Sequence, residues 1–180
     1  VSGEVNLTLN EDMALETYVV IAGNGSINMD LNGHNIIRDQ ATALYMNSDD
    51  IEVNIKGQGE VAGAQAVWAN AGTANIYEGT FRSNAVKGGD CIYASGTGKV
   101  NIYGGEFFAE VNNEDFAEPH YSCLNIRDAY RGTASITVYG GTFHNFNPAD
   151  NVSEGRGTNF VAPGYKSVEE SKGIFVVMPE

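Results

Sequence analysis

Ionisable residues standing close together are where chemistry would begin, and the chain has several such places. Asp49-Asp50 is an acidic pair, and paired carboxylates serve glycoside hydrolysis as acid and base. The pair precedes an alternating strand with no companion His or Arg motif on the residues that follow, so it reads as a turn. Asn32-Gly33-His34-Asn35 sets a histidine beside a corner glycine and reads as an exposed bend. Glu78 and Glu106 fall at different places in neighbouring repeats, with no arginine in equivalent register. A calcium-dependent lyase would need several carboxylates beside such a base. Arg127-Asp128 reads as a surface ion pair. Glu110, Glu114, Asp115 and Glu118 gather in residues 108–122, where a divalent cation would find ligands but where a solvated acidic loop is the ordinary outcome. His34, His120 and His144 lack ligand-like spacing, and Cys91 and Cys123 are too few for a zinc site or a disulfide scaffold. The expectation is a chain without catalytic residues, bound metal or cofactor.

The residues that do recur in register are aromatic and amide. Tyr45, Trp68 and Tyr93 hold one equivalent place, Tyr77, Tyr103 and Tyr139 another, and Asn54, Asn75 and Asn101 a third. The second set is expected to form a stacking ladder at roughly 0.5–1.5 kcal/mol per ring pair. The first set is the candidate for an interface or a glycan contact, since large rigid aromatics dominate binding energetics. The asparagines are expected to bond to one another up an axis. Cys91 and Cys123 are also equivalent, which places them about 4.8 Å apart on adjacent strands. In that arrangement both side chains point the same way and fit a disulfide poorly, so free thiols are expected.

These columns require a repeat, and the repeat is plain. Residues 75–81 read Asn-Ile-Tyr-Glu-Gly-Thr-Phe, 101–107 read Asn-Ile-Tyr-Gly-Gly-Glu-Phe, and 137–143 read Thr-Val-Tyr-Gly-Gly-Thr-Phe. Weaker copies lie at 54–61 and 30–36. A second segment precedes each copy: Ala43-Leu44-Tyr45-Met46, Ala66-Val67-Trp68-Ala69, Cys91-Ile92-Tyr93-Ala94 and Cys123-Leu124-Asn125-Ile126. Successive copies of it start 23, 25 and 32 residues apart, a spacing typical of a solenoid with one coil per repeat. Strict alternation puts Leu44, Val67, Ile92 and Leu124 inside, with Ile55, Ile76, Ile102 and Val138 facing them. Phe81, Phe107 and Phe143 re-enter the core after a glycine corner, with Val61 and Ile36 in their places upstream. The expected fold is all-β: a parallel β-helix of about five or six coils over residues 1–143. A C-terminal β/loop cap over 144–180 belongs to the same domain, with closing strands at 159–161 and 173–177. No N-terminal cap is visible, so the first coil, residues 5–20, is expected to continue upstream or to meet another subunit.

Composition narrows the partners. The 180 residues carry 10 Lys+Arg against 23 Asp+Glu, a net charge of -13, which disfavours binding to phosphate backbones and hence to nucleic acid. No apolar run is long enough for a membrane span. Gly is present 22 times and Asn 19 times, both suited to tight corners. Asp30-Leu31-Asn32-Gly33-His34, the Tyr-Gly-Gly-Thr-Phe copies and the tail Gly157-Thr158-Asn159-Phe160-Val161-Ala162 with Gly164-Tyr165 resemble the pectate-lyase-like, right-handed parallel β-helix proteins. More narrowly, the chain resembles repeat proteins of gut bacterial surfaces and of the phages that infect those bacteria. The resemblance implies right-handed coils and a non-catalytic structural or adhesive module of a virion: fibre, spike or surface decoration. It also implies a homotrimer, contact with other virion or surface proteins and with host-surface polysaccharide, and a location on the virion. A bacterial cell-surface glycan-binding protein, or a polysaccharide lyase or hydrolase of the same fold, is the alternative. Galacturonases of that fold carry Asp-Asp, Gly-His-Gly and Arg-x-Lys. Only the first is present here.

Overall fold

The structure, a computed structural model, describes residues 2–86, 89–112 and 120–180, and of 110–112 and 120–122 the backbone alone. Glu114, Asp115 and Glu118 lie outside the described residues, as do the side chains of Glu110 and His120.

Strands come in threes. The first set is β1 (Ser2–Thr8), β2 (Met13–Ala14) and β3 (Val19–Ile21), and the second β4 (Asn24–Asp30), β5 (Ile36–Ile37) and β6 (Leu44–Met46). Then follow β7 (Ile51–Lys56), β8 (Glu60–Gly63) and β9 (Gln65–Ala69), and β10 (Thr73–Ile76), β11 (Thr80–Ser83) and β12 (Asp90–Ala94). The next set, β13 (Lys99–Ile102) and β14 (Glu106–Phe108), is interrupted by the antiparallel pair β15 (Glu110–Asn112) and β16 (His120–Ser122) before β17 (Leu124–Ile126). A 3-10 turn at Asp128–Tyr130 leads to β18 (Ser135–Val138) and β19 (Gly141–His144), and the chain ends in a hairpin of β20 (Tyr165–Ser171) and β21 (Ile174–Pro179). Equivalent strands pair in parallel, giving three sheets in the orders β1-β4-β7-β10-β13-β18, β2-β5-β8-β11-β14-β19-β21-β20 and β17-β12-β9-β6-β3. This is the parallel β-helix expected from the repeat.

The register is the one the motif spells out. Ile55, Ile76, Ile102 and Val138 stand on one another, as do Leu44, Val67, Ile92 and Leu124, and all are buried. Inside the second sheet Phe81, Phe107 and Phe143 stack with centroids 5.1 and 4.8 Å apart. Cys91 and Cys123 are free and fully buried on adjacent coils. Cys91 Sγ donates to Phe108 O at 3.1 Å. Burial pushes the Cys123 thiol well above its ordinary value, and its hydrogen bond with Cys91 pushes the same way.

The Tyr-Gly-Gly corner has two separate causes. A Cβ at Gly104 or Gly140 would stand 2.3 or 2.2 Å from the carbonyl oxygen of the tyrosine one coil before. The following Gly105 and Gly141 have φ of +100° and +105°, where side chains are disfavoured. In the earlier copy Glu78 stands in the first place, and its carboxylate accepts the Gly57 N–H at 3.0 Å.

Beyond His144 the last strand of each sheet is covered by a different device. On the first sheet, Val138 N–H donates to Phe160 O and Ala162 N–H donates to Val138 O, at 2.8 and 2.9 Å. On the second, β21 pairs antiparallel with β19. On the third, the Glu154 carboxylate accepts Ile126 N–H and Arg131 Nε–H, each at 2.6 Å. The repeat's end leads to the expectation of closing strands at 159–161 and 173–177. The first is a bridge at Val161 and the second is β21, while β20 had not been foreseen. Arg127-Asp128 is not the expected ion pair. The 3-10 turn sets residues three apart together, so Asp128 bonds Arg131 at 2.8 Å and Arg127 lies 5.7 Å from the Tyr130 ring centroid.

Candidate functional site

Two aromatic columns run along the outside, and they differ in geometry. Tyr77, Tyr103 and Tyr139 follow the inward Ile76, Ile102 and Val138 and stack nearly parallel, with centroids 5.1 and 4.9 Å apart and planes within 11°. Tyr165 from β20 closes this column edge-on against Tyr139 at 5.5 Å. Burial and the neighbouring tyrosines raise the Tyr103 hydroxyl above its ordinary pKa. Because the backbone repeat and the ring spacing coincide, each stacked contact uses a face of both rings. This is the ladder expected from the sequence.

The second column packs edge-to-face. Tyr45 pairs in register with Trp68, and Trp68 with Tyr93, on β6, β9 and β12. Their centroids are 5.1 and 5.3 Å apart at 73° and 79°. Tyr18, just before β3, adds a fourth ring 5.7 Å from Tyr45 at 78°. Each edge-to-face contact uses one ring face and one ring rim, so faces are left over along this run. Tyr18, Thr42, Tyr45 and Trp68 line a shallow recess of about 240 Å³. The run stops at Asn125, which holds Tyr93's register on β17 and donates to Asp90 at 3.2 Å.

Polar groups fix these rings in place. Trp68 Nε1–H donates to Ser95 Oγ at 2.7 Å, Ser95 donates to Asn70 Oδ1 at 2.8 Å, and Asn70 donates to Asn47 Oδ1 at 2.9 Å. Arg38 lies 5.4 Å from the Tyr18 centroid and donates to Thr42 O at 3.0 Å. Asn84, from two coils further on, holds the turn that carries Arg38. It donates to Arg38 O at 2.9 Å and accepts Gln40 N–H at 3.0 Å. Burial raises the Tyr93 hydroxyl pKa, with Arg127 opposing and Asp90 adding to the rise.

The amide ladder is longer than the three asparagines singled out from the sequence. Asn6 and Asn28 extend it, and Nδ2–H donates to the Oδ1 of the coil before at each step from Asn28 to Asn101, at 2.9 to 3.0 Å. The signal was present in Val5-Asn6-Leu7 and Ile27-Asn28-Met29, which alternate as Ile76 and its neighbours do. Tyr18 carried no such signal, because it flanks its strand and breaks the repeat register.

The acidic candidates are dispersed. Asp49 accepts Thr97 Oγ1–H across the corners, Glu78 holds Gly57, and Glu106 bonds His144 Nε2 at 2.7 Å. His34 lies 3.4 Å from Asp12. No group of three or more His, Cys, Asp or Glu side chains suited to a metal ion occurs among the described residues. No described helix is long and apolar enough to cross a membrane. Comparison with protein families, curated proteins and solved structures finds no match to this chain.

Proposed function

We propose that the chain is a rigid, non-catalytic adhesive module of a virion or bacterial surface, and that the run Tyr18, Tyr45, Trp68 and Tyr93 is its contact face for surface polysaccharide. The observation that carries this reading is the edge-to-face run itself. It leaves a recess of about 240 Å³ unfilled, with Trp68 held by its hydrogen bond to Ser95 and Tyr18 beside Arg38, whose turn Asn84 holds. Sugar rings present flat C–H faces that pack on aromatic rings, and a prefixed ring pays little rotamer entropy on binding. The parallel Tyr77 column, whose middle ring is covered on both faces, serves stability instead.

The test is binding of neutral and uronate-containing oligosaccharides, followed through the fluorescence of the single tryptophan. Titration should perturb Trp68, Tyr45→Ala should weaken binding about tenfold or more, and Tyr103→Ala should not. Unchanged fluorescence across the panel would remove the glycan reading. Incubation of the same sugars with the protein, with and without calcium, is expected to release neither unsaturated nor new reducing ends.

A further inference from the structure

We infer that the outer edge of β20 is a self-recognition surface, on which two copies of the chain join their second sheets across a two-fold axis. β20 ends the sheet order, and no described strand pairs with its far side. Glu180 N–H donates to Gly164 O at 3.1 Å, which makes that pair a hydrogen-bonded one in the β20/β21 ladder. Hydrogen-bonded and non-bonded pairs alternate along an antiparallel ladder. Lys166 and Val168 therefore turn their backbone groups toward β21, and Ser167 and Glu169 turn theirs outward. Tyr165 faces Pro179, which has no N–H, as a non-bonded pair requires.

An added antiparallel copy of β20 must meet those outward groups, and few registers allow it. Pairing Glu169 with its own counterpart sets like charges together, which is unfavourable. Pairing Ser167 with the second copy's Glu169 lets both residues exchange backbone hydrogen bonds and puts Val168 against itself on the axis. In that register Lys166 faces the second copy's Glu170, and symmetry makes the same pair twice. Charges on an edge strand ordinarily keep other strands away. Here the signs disfavour the registers centred on Lys166 and on Glu169, and give the one centred on Val168 two opposite-charge pairs related by the two-fold, as an isologous interface requires.

A second observation points to the same edge. Ser167 Oγ is buried without a hydrogen-bond partner, alone in this among the described side chains. The inferred register sets Ser167 beside the second copy's Glu169, whose carboxylate would meet the hydroxyl once it turns out from its own chain. Within that chain only Oε1 of Glu169 is engaged, by Gly173 N–H at 2.9 Å. The irregularity in β20 lies between Glu169 and Ser171, so the Ser167–Glu169 stretch that exchanges backbone hydrogen bonds is regular and Glu170 stands at its edge.

The experiment is mass measurement by sedimentation across a concentration series. The native chain should reach twice its 19.2 kDa, not three times as in a trimer. Lys166→Glu and Glu170→Lys should each weaken association about tenfold, by turning two attractive pairs repulsive. The double variant, with the charges exchanged, should restore it. Ser167→Pro removes an outward N–H while sparing the β21 ladder, and should abolish the dimer with an unchanged circular dichroism spectrum. A native monomer, a trimer, or a dimer indifferent to charge reversal would overturn the inference. Should a single variant fail to fold, the native mass and the double variant still decide.

Discussion

Asn75 is the most enclosed side chain of the amide ladder, and it has little freedom left. Its two N–H groups donate to Glu52 and Asn54 at 2.9 Å, and its oxygen accepts from Asn101 at 3.0 Å. Asn75→Ala should cost about 1–3 kcal/mol in urea unfolding, since neighbours lose partners at a buried site. Asn6→Ala should cost less, because Asn6 is exposed and its ladder bond is only the one it accepts from Asn28. Cys123 makes a different kind of statement. Its thiol pKa is raised in the folded chain, so folding favours the protonated form. The unfolded thiol ionises first, near its ordinary value of 9.0, and from there upward the folded state binds more protons than the unfolded one. Stability is therefore full below pH 9.0 and falls as pH climbs above it, and Cys123→Ala should flatten that fall. Thiol reagents should find no group in the native protein and two after unfolding, without reductant.

At the scale of elements, the corner decides whether one coil fits on the next. Gly104→Ala should cost about 2 kcal/mol or more, because its Cβ would meet a backbone carbonyl that a neighbouring coil holds fixed. Gly132→Ala is the control: nothing lies within 4 Å of its added Cβ, and its effect on thermal unfolding should stay within about 0.5 kcal/mol. These corners were legible in the sequence because every coil meets the same neighbour, so one steric demand is written again at each copy. The inward Ile, Val and Phe columns were legible for the same reason. What escaped was anything that occurs once. Tyr18 sits beside its strand rather than in register, and β20 belongs to the cap, where no repeat reports a spacing. Arg127-Asp128 misled because adjacency in sequence suggested a pair, whereas the 3-10 turn joins Asp128 to Arg131. The aromatic run proposed as the contact face was half legible: Tyr45, Trp68 and Tyr93 share a column in the sequence, but their edge-to-face packing and the recess beside them follow from ring orientation.

Across the whole molecule, stability is set coil by coil, because each coil touches little beyond the two that flank it. The middle coils are covered on both sides, and the last is covered by Glu154, the 159–162 segment and the hairpin. The first coil, as described, has a neighbour on one side alone. Leu7 stands in register with Met29 and points inward as it does, yet Leu7 is 41% exposed and Met29 is 3% exposed. Met13, above the buried Ile36, is 36% exposed. A residue that keeps much of its surface in water has less transfer free energy to lose and leaves no enclosed cavity, so Leu7→Ala should cost only about 1–1.5 kcal/mol. Ile76→Ala, fully enclosed between Ile55 and Ile102, should cost about 2–5 kcal/mol. The same difference should appear without mutation. A one-dimensional array opens from its least covered end, so amides of β1 and β3 should exchange with solvent fastest and protection should rise toward β10 and β13. Uniform protection from β1 to β18 in hydrogen exchange would mean that the first coil is covered in solution, and Leu7→Ala would then cost as much as its interior counterpart.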